Sequence, residues 1–270
     1  MFQRIGFIGT GAMGGAVAQI VNEAAPDAAL YLANRTAEKA SALAARLSRA
    51  AVSTNGEIAE TCDLIFLAVK PQMMAGVLAE IAPALAARRD RFVLATMAAG
   101  LTMETIRSMA GGAYPVIRMM PNTPITVGAG AVQYCGLDVT DDELAAFAAL
   151  LAGAGMVDPL PEHLIDAASA VSGCGPAFVD LFLEALADGG VACGLPRQKA
   201  MAYAAAMAEG AARMARLSGD HPGALKDAVC SPAGSTIQGV RALERRAFRG
   251  AVMDAVIAAY ERNRELGRSE

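Results

Sequence analysis

Near the amino terminus, Gly9-Thr10-Gly11-Ala12-Met13-Gly14 sets glycines in a GxGxxG pattern. Between a strand and a helix this spacing suits dinucleotide chemistry. One glycine makes a tight turn, one lets the backbone approach a pyrophosphate, and one lets the helix pack closely on the strand. The N–H groups at the helix start then meet the anionic phosphates. A second chemical candidate lies far downstream, in Leu225-Lys226-Asp227-Ala228-Val229-Cys230-Ser231-Pro232-Ala233-Gly234-Ser235-Thr236-Ile237. There one helix is predicted to end near Cys230, a Ser-Pro-Ala-Gly turn to follow, and another helix to start near Ser235. Free N–H groups at that start suit a small carboxylate, each contact contributing about 0.3–1 kcal/mol. A plain Ser/Thr helix cap accounts for the same residues.

The end of the second strand selects between nicotinamide cofactors. An acidic residue there binds a free ribose 2′-hydroxyl and repels a 2′-phosphate. This chain has Asn34-Arg35-Thr36 instead. Arg35 can pair with a phosphate, and Asn34 and Thr36 offer hydrogen bonds that tolerate one, so NADPH is favoured and NADH is the weaker alternative. A solvated Arg before a helix is the competing reading. Three further loops are expected at the carboxyl edge of the sheet: Val69-Lys70-Pro71-Gln72, Ala98-Ala99-Gly100, and Arg118 through Pro124 with Asn122 inside it. Lys70 beside a proline reads as a structural or cofactor-side charge rather than a catalytic base, and His221 before Pro222 reads as a cap.

These residues need elements to hold them. Short apolar runs at 5–9, 30–33, 64–69, 92–96, 116–119 and 129–134 read as strands, with helical patterns at 12–23, 36–50 and 144–151. Such alternation predicts βαβ units and a parallel sheet, an α/β class. Beyond the prolines at 159 and 161 no strand pattern appears; Phe178, Leu181, Phe182, Ala185 and Leu186 recur at helical spacing. A boundary near residue 160 therefore separates a sheet-containing part, 1–160, from an all-helical part, 161–270.

Composition narrows the function classes. Of 270 residues, 54% are hydrophobic but only 5% aromatic, with no Trp, and the net charge is −4. Nucleic acid and anionic membranes are unlikely partners for a chain without clustered basic charge. A spanning helix is not expected either, since about 18 consecutive apolar residues are required; the nearest run, 144–157, is Ala/Gly-rich and bounded by Glu143 and Asp158. The first residues reach glycine too early for a signal-peptide core, which predicts a cytoplasmic protein. Cys62, Cys135, Cys174, Cys193 and Cys230 are scattered, without a CxxC pair, and read as reduced, mostly buried thiols with no metal role.

Taken together, GTGAMG, NRT, AVKPQ, RMMPNTP, SGCGPAFVDLFLEALADGGVACGLPR and HPGALKDAVCSPAGSTI, in this order, resemble the pyrroline-5-carboxylate reductase family over essentially the whole chain. The resemblance implies a Rossmann-type NADP-binding domain followed by an all-helical dimerisation and substrate-binding domain. It implies reduction of the cyclic imine of 1-pyrroline-5-carboxylate to L-proline with NADPH, the last step of proline biosynthesis. Cofactor contacts would come from Gly9, Thr10, Gly11, Ala12, Met13, Gly14, Asn34, Arg35, Thr36, Asn55, Val69, Lys70, Pro71, Ala98, Ala99, Gly100 and Asn122. The substrate would be held by Glu162, Asp227, Ser231, Gly234, Ser235 and Thr236, with the Thr236 hydroxyl on the ring nitrogen as the catalytic contact. A homodimer is implied, and larger rings such as decamers. The chain departs from the family's pattern at Cys174, Cys230, Ala233 and Ser235, and Ala233 matters most because a glycine-only backbone angle would be lost there. Another NADP-dependent imine or hydroxyacid reductase of the same architecture is the rival enzyme. Hydroxyacid enzymes of that kind generally carry a catalytic lysine on the first long helix of the second domain, whereas here the helix after Pro176 carries Asp180, Glu184 and Asp188 and no lysine. A non-enzymatic NADP-binding protein would have no use for the last two motifs.

Overall fold

The computed structural model describes residues 2–266, so the outermost ends of the two expected domains lie outside the described residues. Among the described residues the chain forms two compact units: 2–174 together with 259–266, and 175–258. In the first, strands and helices follow as β1 (Arg4–Ile8), α1 (Ala12–Ala24), β2 (Ala29–Ala33), α2 (Ala37–Ala44), β3 (Ala50–Val52), α3 (Asn55–Thr61), β4 (Leu64–Leu67), α4 (Pro71–Ala87) and β5 (Val93–Thr96). They continue with α5 (Met103–Ala110), β6 (Val116–Met120), β7 (Gly130–Leu137), α6 (Asp141–Leu150), β8 (Gly155–Pro159) and α7 (Glu162–Ser172). The second unit holds α8 (Gly175–Ala192), α9 (Arg197–Ser218), α10 (Pro222–Ala228), α11 (Ser235–Arg245) and most of α12 (Phe248–Leu266).

The strands form one eight-stranded sheet in the order β3-β2-β1-β4-β5-β6-β7-β8. All neighbours are parallel except β6 and β7. Every residue of β4, β5 and β6 is buried, as expected of strands covered on both faces. One core forms around Phe7, Val17, Leu32, Phe66 and Phe147, with Phe7 and Phe66 stacked at 4.5 Å. The other forms around Ile8, Ile58, Ile65, Leu78 and Ile106. The chain builds outward from β1 to β3 and then returns to place β4 on the other side of β1. That reversal opens a crevice at the carboxyl ends of β1 and β4, where open α/β sheets bind ligands.

Several expectations change. The helix expected over 36–50 stops at Ala44, and Ala50 instead opens the edge strand β3. Arg49, at φ +54°, makes the turn between them. The helix expected over 144–151 is present as α6, but it is followed by a short 3₁₀ turn and by β8, a strand that was not expected. Of the five cysteines only Cys62 is buried, and Cys193 is exposed, which corrects the expectation of mostly buried thiols. Burial pushes the Cys62 and Cys135 thiols up to about 11.

By length and composition alone, the stretch 162–192 could cross a membrane. This corrects the expectation that no segment qualifies. Alanines and glycines with few charges lift its mean hydropathy without forming an unbroken apolar run, and a turn at Gly173 and Cys174 interrupts the helix.

The boundary expected near 160 falls between β8 and α7, whereas compactness keeps α7 with the sheet. Asn122 explains part of this: its Nδ2 donates to the Ser172 carbonyl at 2.9 Å while its Oδ1 accepts the Ala131 N–H at 2.9 Å.

Candidate functional site

The GxGxxG turn joins β1 to α1 at the sheet reversal. Gly9 has φ +102°, and a Cβ there would lie 2.5 Å from the Ala68 carbonyl oxygen. At Gly14 a Cβ would lie 2.2 Å from the Gly9 carbonyl oxygen. Both glycines are thus demanded by the protein itself. Gly11 differs, for a Cβ at this position would meet nothing within 4 Å. Its backbone, φ −70° and ψ −170°, is one any residue adopts. No packing in the protein explains that glycine, but a ligand lying against the backbone would. Gly11 is also the N-cap of α1, with no side chain capping the free N–H groups.

The turn is fixed laterally. The Gly9 N–H donates to the Ala33 carbonyl at 2.8 Å, and the Thr10 N–H donates to Asn34 Oδ1 at 3.1 Å. Asn34 Nδ2 donates in turn to the Thr36 carbonyl. Asn34 therefore ties the first and second strand–helix loops together. Thr10 is buried, yet its Oγ1 has no hydrogen-bond partner. A cleft of about 490 Å³ opens beside these residues. From α1 it is lined by Ala12, Gly15, Ala16 and Gln19, and from α2 and just beyond by Lys39, Ala42, Leu43 and Arg46. Both sets repeat at helical spacing, and no acidic side chain lines the cleft. An uncapped helix start, an orphaned buried hydroxyl, a glycine with empty space over it and two cations fit a phosphorylated dinucleotide.

The other expected cofactor residues occupy the same carboxyl edge. Val69 Cγ1 lies against Gly9, at 3.1 Å from the position of a Cβ on that glycine. Lys70 is exposed at the N-cap of α4, and Pro71 is the first residue of that helix. Ala98 is buried and donates its N–H to Thr96 Oγ1 at 3.3 Å, and Gly100 turns at φ +77°. Met13 packs against the first core. Asn55 opens α3, where Thr54 and Glu57 form a capping box, and its amide reaches Glu80 at 3.0 Å. Arg35 is exposed outside the cleft lining. Asn122 uses both ends of its amide on the protein.

Glu162 belongs to the first unit. Its Oε1 accepts the Met103 N–H at 2.7 Å and lies 3.6 Å from Arg118 Nη1. Arg118, 1% exposed within β6, also donates from Nη2 to Asp166 Oδ1 at 2.5 Å, while its Nε has no partner. Glu162 and Asp166, one turn apart on α7, so bracket a buried guanidinium. By sequence Arg118 opens the loop expected over 118–124, whereas in the structure it lies within β6. A charge inside the apolar strand Val116–Met120 was the available signal, because buried charges require partners.

The remaining substrate candidates lie in the second unit. His221 Nδ1 accepts the Gly223 N–H at 3.0 Å and caps α10, as expected of it. Asp227 pairs with Lys226. After Cys230 the chain turns through Ser231-Pro232-Ala233-Gly234, with the Gly234 N–H donating to the Ser231 carbonyl at 3.0 Å. Ala233 takes φ +59°, the left-handed conformation a glycine would favour. The substitution thus retains the left-handed turn. A Cβ on Gly234 would lie 2.3 Å from Ser231 Oγ, which would have to turn away, and 3.1 Å from the Ser231 carbonyl oxygen. Gly234 is the N-cap of α11 and no side chain caps that helix, which sets aside the Ser/Thr-cap reading. Ser235 and Thr236 are exposed on the first turn, their hydroxyls unengaged among the described residues.

Two family models match the chain: pyrroline-5-carboxylate reductase dimerisation over 162–266, and an F420-dependent NADP oxidoreductase model over 4–99. Pyrroline-5-carboxylate reductase of Pisum sativum is 38% identical over 97% of this chain and 95% of its own. That of Escherichia coli K12 is 37% identical over 100% of both. Among solved structures, Plasmodium falciparum pyrroline carboxylate reductase with NADP bound superposes with a TM-score of 0.86 at 32% identity, covering 98% of each chain. The Coxiella burnetii pyrroline-5-carboxylate reductase gives 0.85 at 29%, covering 97% of each. Full-length likeness at these identities, with the dimerisation model over the helices, places this chain in the pyrroline-5-carboxylate reductase family.

Proposed function

We propose that this protein reduces 1-pyrroline-5-carboxylate to L-proline with NADPH, taking up one hydride and one proton per imine. The observation that carries the reading is the uncapped start of α11, presented by a turn whose second corner stays left-handed despite carrying alanine. Bound NADPH supplies the hydride from its nicotinamide C4. The protein's share is placement, which can lower such a barrier by roughly 7–11 kcal/mol. The N–H groups of Ser235, Thr236 and Ile237 orient the substrate carboxylate, with Ser231 and Gly234 shaping the turn beneath it. The Thr236 hydroxyl holds the ring nitrogen; as a poor acid at neutral pH it orients a nitrogen that arrives protonated.

On the nucleotide side, the α1 start with Gly11 receives the pyrophosphate, and the Asn34–Thr36 loop receives the adenosine ribose with Arg35 at its phosphate. The loops carrying Val69–Pro71 and Ala98–Gly100 border the nicotinamide. Asn34 and Asn122 act by holding loops in place, Glu162 by holding the Arg118 guanidinium and the Met103 N–H, and Asp227 as a charge just before the turn that leads into α11.

Exposed apolar residues of the second unit, among them Leu181, Tyr203, Met207 and Leu217, support a homodimer whose helices cover one another, with rings of dimers such as a decamer as the further assembly. The same covering accounts for the apolar stretch 162–192 without a membrane. A net charge of −4 gives no footprint for nucleic acid, and the cytoplasm is the proposed compartment. The test is NADPH oxidation followed spectrophotometrically. Turnover is expected with pyrroline-5-carboxylate and not with β-hydroxyacids and NADP. No oxidation with the imine would overturn the reading.

A further inference from the structure

Resting on that reading, we infer that Lys39 is a specificity-determining residue for the cofactor: its ammonium group contacts the 2′-phosphate of NADPH. Lys39 sits on the third residue of α2, the helix that leaves the β2 loop where the ribose belongs. The pyrophosphate belongs to α1, on the opposite wall of the cleft. Lys39 lines that cleft together with Thr10, Gly11 and Ala12, whereas Arg35 does not. Its side chain makes no ion pair or hydrogen bond among the described residues. It is therefore available for a ligand.

Three features mark the cleft as a site for phosphate. Thr10, 7% exposed, has an orphaned Oγ1 in its lining, α1 begins there without a side-chain cap, and among the described residues no carboxylate lines the cleft. The N-cap of α2, Thr36, likewise makes no side-chain cap; the Lys39 N–H is taken by the Thr36 carbonyl at 3.1 Å, which leaves the N–H groups of Ala37 and Glu38 on that first turn. A dianionic phosphate between these N–H groups and an ammonium gains charge-assisted hydrogen bonds that a ribose hydroxyl cannot replace. A lysine acting as a point charge suffices for this role.

The test is equilibrium binding of NADPH and NADH to the full chain, read from the cofactor's own fluorescence, which the absence of Trp leaves free of tryptophan emission. Wild type is compared with Lys39→Gln and Lys39→Arg, without substrate. Lys39→Gln is expected to weaken NADPH about tenfold and NADH less than twofold, and Lys39→Arg to keep the preference. Adenosine 2′,5′-bisphosphate should lose affinity in parallel with NADPH, and AMP should not. Equal weakening of both dinucleotides would assign Lys39 to the pyrophosphate and overturn the inference, as would unchanged affinities or a wild type without preference. Because Lys39 is exposed, the fold should survive, and an unchanged melting temperature checks it. Turnover of pyrroline-5-carboxylate by wild type is measured separately, so failure of the reductase reading and failure of the lysine assignment give different results.

Discussion

Gly11 and Gly14 occupy one motif for opposite reasons, and substitution separates them. Gly14→Ala forces a Cβ onto the Gly9 carbonyl and should disorder the turn, lowering the melting temperature as well as cofactor affinity. Gly11→Ala meets open space, so it should leave the melting temperature unchanged while weakening NADPH binding in the same fluorescence titration. Parallel losses for both variants would show that Gly11 serves packing. At the second site, Thr236→Ala should lower kcat by roughly 10- to 100-fold, the value of one hydrogen bond to a charged group, with NADPH affinity unchanged. An unaltered kcat at saturating imine would remove Thr236 from the chemistry. Ala233→Gly relieves a left-handed alanine worth about 1–2 kcal/mol, less about 0.4–1 kcal/mol of added unfolded-chain entropy. A net stabilisation of up to about 1.5 kcal/mol in urea denaturation is expected. The glycines and the Ser-Pro-Ala-Gly turn were legible because local chain geometry restricts them. Lys39 was not, since only the placement of α2 beside α1 brings it into the cleft that Gly11 lines.

At the scale of elements, charges decide what apolar patterning leaves open. α7 carries Glu162 and Asp166 one turn apart, and Arg118 in β6 answers both. Breaking a buried pair from one side costs about 3–5 kcal/mol. Arg118→Met should therefore destabilise the protein by about 3 kcal/mol, at the low end because both carboxylates keep some contact with water. A loss under about 1 kcal/mol, the scale of a surface ion pair, would show that the pair is dispensable. α6 is joined to the start of β5 by Arg91, two residues before that strand, whose guanidinium donates to both oxygens of Glu143 at 2.6 and 2.8 Å. That hydrogen bonding, together with the Thr140 N–H, holds the Glu143 carboxyl at about 2 against an ordinary 4.5. A depressed folded-state pKa gives stability that is fully present above pH 4.5 and is lost as pH falls toward 2. Glu143→Gln should flatten this part of the acid unfolding profile, and an unchanged profile would dismiss the link. The parallel strands were readable as apolar runs. β3 and β8, short and partly exposed, carried no such run and became visible only through their pairing with β2 and β7.

Across the whole molecule the two units differ in how they satisfy their apolar residues. The first has cores on both faces of its sheet. In the second, the buried hydrophobics among the described residues are Ala187, Ala200 and Ala204, while Leu181 and Leu217 remain more than two-thirds exposed. A helical unit with so little interior is expected to gain stability by covering those faces with another copy. The protein should elute in gel filtration at no less than dimer mass, and Met207→Glu on α9 should shift it toward monomer with loss of activity. A stable, active monomer of the wild type would overturn the dimer.

The order of motifs, the alternation of strand and helix and the helical second half were determined by sequence alone, because each depends on neighbours a few residues apart. The burial of Arg118, the company of Lys39 and the strained retention of the turn at Ala233 were decided only by the tertiary structure. They depend on residues distant in the chain, or on a backbone angle that side-chain type disfavours but does not forbid.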